Sequence, residues 1–153
     1  MAGIRLRHAT IDFIRYGIWA LNMDLPVQQG VILFAHGARD ARWAEPFQRL
    51  ASVVRSQRAA AGDPGPVGLA YLELMEPDLR TAIDLQVESG CGIVTVIPVF
   101  FGQGSHLRND LPALLETCCT AHPQLEIRCT EAVGEVPTVL EAIAHFCMAQ
   151  IDN

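Results

Sequence analysis

From Gly30 onward, short apolar runs alternate with segments of helical period. Residues 31–35 form an apolar run, β-branched at its start. It stops at His36-Gly37, which reads as a strand end and a turn. Trp43, Phe47, Leu50, Val53 and Val54 recur at helical spacing and predict a helix over 42–60. The run Gly62, Asp63, Pro64, Gly65, Pro66 ends it. A second strand is predicted over 67–74, and Pro77 suits the first turn of a helix ending near Ser89-Gly90. A third strand, nearly all apolar, covers 93–101. Gly102, Gln103, Gly104, Ser105 and His106 then read as a glycine-rich loop. The remaining elements are a helix over 108–121 with Pro112 in its first turns, a strand over 125–130, a turn over 134–137 and a helix over 138–150.

Strands that alternate with helices predict the α/β class, with a parallel sheet covered on both faces. The first and third strands are the most continuously apolar, so they belong in the middle. Right-handed crossovers then give a three-layer open sheet of four mainly parallel strands in the order 2-1-3-4. The domain occupies 30–150, and 1–29 is an N-terminal appendage. Arg5, Arg7 and Arg15 there surround Ile11, Phe13, Ile14, Ile18, Trp19 and Leu21. Either Met23 is the true start, or the segment is a short amphipathic helix packed on the domain. It lacks the clean apolar stretch of a signal peptide.

Composition narrows the function. The chain has 153 residues and a formal net charge of −6. That balance gives no nucleic-acid surface, so any anionic ligand needs locally placed cations. All eleven basic residues are arginine. The absence of lysine removes Schiff-base chemistry and Walker-type phosphate loops. The five cysteines form no C-x-x-C pair, which disfavours zinc ribbons and disulfide frameworks. They read as small buried hydrophobes in a reducing cytoplasm. No apolar run has the length of a membrane span. A nucleophile elbow of the Gly-x-Ser-x-Gly type is also missing, which argues against a serine hydrolase.

Ligands of open α/β sheets bind beyond the carboxyl ends of the strands, where the strand order reverses. Here that point lies between the first and third strands. His36 and His106 follow those strands, 70 positions apart, and are expected to face one crevice. Imidazole both ligates divalent metals and takes up protons near neutral pH, so both histidines are candidate metal ligands and catalytic groups. Glu73, on the same edge, is a candidate for positioning a metal or receiving a proton, and Glu135 is a weaker one. Arg39 and Arg108 flank the histidines and suit carboxylates. Gly37, Gly102 and Gly104 let backbone approach a bulky ligand, with Ser105 beside them. Asp40 and Asp110 read as helix caps. His8, His122 and His145 read as structural.

Four blocks carry a resemblance. They are Val31-Ile-Leu-Phe-Ala-His-Gly-Ala-Arg-Asp40, Ala70-Tyr-Leu-Glu-Leu-Met-Glu-Pro77, the block Ile97-Pro-Val-Phe-Phe-Gly-Gln-Gly-Ser-His-Leu-Arg-Asn-Asp-Leu-Pro112, and Ala132-Val-Gly-Glu135. In that order, over about Gly30 to Gln150, the chain resembles the CbiX/SirB family of sirohydrochlorin chelatases. The resemblance implies a chelatase-like half-lobe that pairs as a homodimer. It implies insertion of Co²⁺, Fe²⁺ or Ni²⁺ into sirohydrochlorin, a macrocycle with eight carboxylates, for cobalamin or sirohaem synthesis. The metal is then a substrate, and no permanent cofactor is expected. His36 and His106 match the family's two histidines, and Glu73 its second-strand glutamate. One departure is Ala38, where the family turn Gly-His-Gly-Ser carries a hydroxyl; Ser105 is a candidate substitute. The alternative class is a non-catalytic protein that binds or delivers a metal or tetrapyrrole.

Overall fold

The computed structural model describes residues 27–102 and 104–151, with backbone alone for 105–109. The expected appendage therefore lies almost wholly outside the described residues. Four strands, β1 (Gln29–Ala35), β2 (Val67–Tyr71), β3 (Ile93–Pro98) and β4 (Glu126–Cys129), alternate with α1 (Glu45–Ala60), α2 (Leu79–Glu88), α3 (Ser105–Ala121) and α4 (Pro137–Ala149). The sheet order is β2-β1-β3-β4 and every pairing is parallel, as the apolar pattern predicted.

Alternation along β1 builds the two faces. Ile32 and Phe34 point to one side, where they pack with Val94 and Val96 of β3 against Leu79, Ala82 and Ile83 of α2 and Leu111 and Cys118 of α3. Leu33 points to the other side with Val67 and meets Ala51 of α1. Both faces of β1 are thus buried, which explains why its sequence lacks a polar alternation.

Several boundaries differ from expectation. β2 ends at Tyr71 rather than 74, because the chain turns through Leu74, whose φ of 62° is left-handed. The third strand stops at Pro98, where proline cannot donate to a ladder. The fourth is shorter by a residue at each end. Ser105 and His106 are the first two residues of α3, so they do not belong to the glycine-rich loop. Pro112 consequently lies inside α3, and Asp110 is a helix-interior residue rather than a cap. Asp40 is a cap, accepting from the Arg42 N–H at a 3-10 helix over Ala41–Ala44 that precedes α1.

The sharpest departure is α4. It is rich in apolar residues, yet all thirteen are exposed except the half-buried Val139. It packs chiefly on a 3-10 helix over Val133–Glu135. The outer side of β4 is correspondingly bare, with Glu126 and Arg128 paired at 2.7 Å in solvent. The cysteine expectation holds for Cys91 and Cys118, which are buried. It fails for Cys119, Cys129 and Cys147, which are exposed; all five are free thiols.

Candidate functional site

The carboxyl edge of the sheet gathers its chemistry through backbone zippering beyond the strands. The N–H of Leu72 donates to the Ala35 carbonyl, and that of Glu73 to the His36 carbonyl, so the β1–β2 pairing runs on past both strand ends. The consequence is that two residues 37 positions apart stand side by side. His36 Nδ1 lies 3.7 Å from Glu73 Oε1, and both side chains are more than half exposed, at 58% and 57%. This pair is open to a ligand and is not a buried structural bridge.

Two glycines make the edge tight. Gly37 has φ of 86°, and a Cβ there would run into the Glu73 carbonyl. Its bare Cα is what lets the Glu73 strand end close on His36. At the opposite side, Gly134 N–H donates to the Phe100 carbonyl, and a Cβ at Gly134 would collide with Phe101 backbone. By contrast, Cβ atoms at Gly102 or Gly104 would stand in open space. Among the described residues, nothing packs against either of these two glycines.

Phe100 is the orienting residue that sequence reasoning missed. It is buried, stacks edge-on against Phe34 at 5.6 Å, and meets the His36 imidazole edge-on at 5.7 Å and 81°. The apolar third strand gave no signal that one of its last phenylalanines would contact the first-strand histidine. Tyr71 lies under the same turn. Burial pushes its phenol pKa up, so it acts there as a neutral packing group.

Two arginines on the loop after β1 differ in availability. Asp40 holds Arg42 through hydrogen bonds of 2.7, 3.1 and 3.2 Å; these lower the carboxyl pKa and raise that of the guanidinium. Arg39 is exposed and has no partner among the described residues. Of these two arginines, Arg39 is the one that no described carboxylate engages. Ser105, His106 and Arg108 fall in the first turn of α3, which starts at the same carboxyl edge; their side chains lie outside the described set. Glu135 ends the 3-10 helix beyond β4 and is exposed. No group of three described His, Cys, Asp or Glu side chains converges on a metal-sized point. His122 bonds Asp84 at 2.6 Å and ties the end of α3 to α2, as its structural reading required.

The CbiX family model matches residues 30–147. The chain belongs to the CbiX family. A crystal structure of a CbiX protein from Marinobacter aquaeolei superposes with a TM-score of 0.67 at 34% identity, over 81% of this chain and 98% of that one. Sirohydrochlorin cobaltochelatase of Methanopyrus kandleri is 32% identical over 85 residues, 56% of this chain and 57% of that protein. Sirohydrochlorin ferrochelatase of Bacillus subtilis is 24% identical over 119 residues, 78% of this chain and 44% of that protein. The chain therefore spans about half the length of these curated relatives. The B. subtilis SirB crystal structure in complex with cobalt shares the fold at a TM-score of 0.60 and 22% identity, over 78% of this chain and 49% of that one. As a CbiX member, this chain carries its exposed His36–Glu73 pair within the matched region.

Proposed function

We propose that this CbiX protein is a metal chelatase that inserts a divalent metal into sirohydrochlorin. The observation that carries the reading is the exposed imidazole–carboxylate pair of His36 and Glu73 at the carboxyl edge of the sheet. Metallation removes two N–H protons from the macrocycle and places M²⁺ among its four nitrogens. Imidazole fits both halves of that exchange, because it accepts a proton near pH 7 and binds borderline metals. As the metal passes to the ring, His36 and His106 each take up one of the two pyrrole protons, and Glu73 stabilises the imidazolium at His36. His106, opening α3 on the same edge, supplies the second imidazole, so the two histidines hold the incoming metal before transfer. A two-imidazole site is weak enough to release the ion, which a transfer enzyme requires. Arg39 and Arg108 grip macrocycle carboxylates. Gly37, Gly102, Gly104 and Ser105 line the approach, with Gly37 acting by bringing Glu73 to His36. The metal is Co²⁺, Fe²⁺ or Ni²⁺, and the product serves cobalamin or sirohaem synthesis. The protein acts in the cytoplasm, a compartment consistent with three exposed free thiols.

The active unit is a homodimer in this reading. α4 leaves Leu140, Ile143, Phe146 and Met148 exposed, followed by Ile151. Leu140, Ile143 and Phe146 recur at a spacing of three, so they share one side of α4 and present an apolar surface of the kind that marks a protein–protein contact.

Anaerobic metallation of sirohydrochlorin with Co²⁺, Fe²⁺ and Ni²⁺, followed by absorbance, tests the activity. His36→Ala and His106→Ala should each lower the rate at least about 100-fold, the scale of a lost general base. Wild-type rates in both variants, with the protein folded, would falsify the assignment. Tight tetrapyrrole binding by the wild type without metallation above background would instead make it a carrier.

A further inference from the structure

Three large apolar side chains stand in solvent on the segments that follow β1, β2 and β3. Trp43 is 51% exposed, Leu74 61% and Phe101 68%. Each is fastened to the histidine's surroundings through its neighbours in sequence. Ala44, next to Trp43, is buried against Ala35 and Tyr71, with Phe47 packed on the same cluster. Leu74 follows Glu73, whose N–H donates to the His36 carbonyl. Phe101 follows Phe100, whose ring meets the imidazole. None of the three joins the buried core clusters, and none belongs to the metal-handling or carboxylate-gripping groups.

Leu74 carries a second indication. A non-glycine residue at φ of 62° is disfavoured by about 1–2 kcal/mol. The local fold holds a leucine there and turns it out of the core. Trp43 also lines an open pocket of about 450 Å³ with Asp40, Arg42, Pro46 and Phe47. Trp43, Pro46 and Phe47 give it an apolar lining and its cation is already bound to Asp40, so it suits an apolar ring better than a carboxylate.

We propose that Trp43, Leu74 and Phe101 are positioning residues that form an apolar rim on which the flat conjugated ring of the tetrapyrrole rests, above the His36–Glu73 pair. This inference rests on the function proposed above and adds what grips the ring itself. A macrocycle with charged arms and an apolar centre needs both kinds of surface. Arginines orient the arms, and the rim shields the ring from water and holds it at the sheet edge, a contribution to binding in ground state and transition state alike.

The test is an anaerobic titration of full-length protein with sirohydrochlorin, paired with Co²⁺ metallation kinetics. The variants are Trp43→Ala, Phe101→Ala, Leu74→Asn and Trp43→Phe; asparagine tolerates the left-handed backbone while removing the apolar surface. The first three should each raise Kd and KM about tenfold, equal to ~1.4 kcal/mol, while kcat stays within about threefold. Trp43→Phe should stay within about threefold of wild type, because it keeps an aromatic face. Co²⁺ binding without tetrapyrrole should be unchanged in all four and weakened in His36→Ala. Wild-type Kd in the first three variants, with unchanged thermal midpoints, overturns the rim while leaving the chelatase reading in place. So does a shift from dimer to monomer with Kd unchanged, which would make these residues a subunit contact. Failure of the wild type to bind sirohydrochlorin overturns both.

Discussion

Gly37 shows how one residue joins packing to chemistry. Its positive φ and missing side chain let Glu73 approach His36. Gly37→Ala should therefore both strain the turn and push Glu73 away. We expect a loss of about 1–3 kcal/mol in urea denaturation and a metallation rate reduced by more than the loss of folded protein accounts for. Asp78 is a simpler case. Its carboxylate accepts the Thr81 N–H at 2.8 Å and caps α2, and that backbone bond lowers its pKa below the ordinary 3.8. A depressed folded-state pKa gives stability that is present above the unfolded value and lost as pH falls through the folded one. Asp78→Ala should cost about 1 kcal/mol at pH 7 and little at pH 2, whereas Asp78→Asn should keep the cap at both. Chemical denaturation of the three proteins at the two pH values reads this directly.

Among the elements, α2 and α3 carry the main core and α1 the smaller one. Ile83 of α2 is fully buried among Ile32, Ala70 and Val94. Ile83→Ala should cost about 2–5 kcal/mol, with the spread set by how far α2 can collapse toward the sheet. The His122–Asp84 contact joins the same two helices, but both groups are partly exposed. His122→Ala should cost at most about 1 kcal/mol, and thermal melts of the two variants will separate core packing from surface pairing. The start of α3 was harder to read. Gly102 and Gly104 suggested a loop through His106, and Pro112 suggested a nearby helix start. The helix instead begins at Ser105 and takes the proline into its interior.

At the scale of the whole molecule, α4 is the element the described chain does not bury. Its exposed apolar residues predict self-association through this helix. Ile143→Glu together with Phe146→Glu should shift the protein from dimer to monomer in sedimentation velocity, because burying two carboxylates in an apolar contact is strongly unfavourable. The monomer should keep its helical circular dichroism, since neither residue supports the central sheet. Loss of metallation in that monomer would place part of the working site on the second copy.

The α/β class, the strand order and the carboxyl-edge position of His36 were all legible from the sequence. Apolar runs and helical spacing depend on which side chains must leave water, and that is written residue by residue. Exposure was not legible in the same way. Trp43, Leu50 and Val53 fit a helical apolar stripe, yet they face solvent. Cys119, Cys129 and Cys147 look like small core residues and are not. Whether an apolar side chain is covered depends on neighbours brought from distant sequence, and periodicity carries no information about them. The same reason hid the Phe100–His36 contact and the Glu73–His36 distance, which are fixed only when β1, β2 and β3 lie side by side. The sequence alone set which residues stand at the sheet edge as candidates for metal and proton chemistry. Tertiary structure decided that Glu73 and Phe100 stand beside His36, and that Trp43, Leu74 and Phe101 stay in solvent.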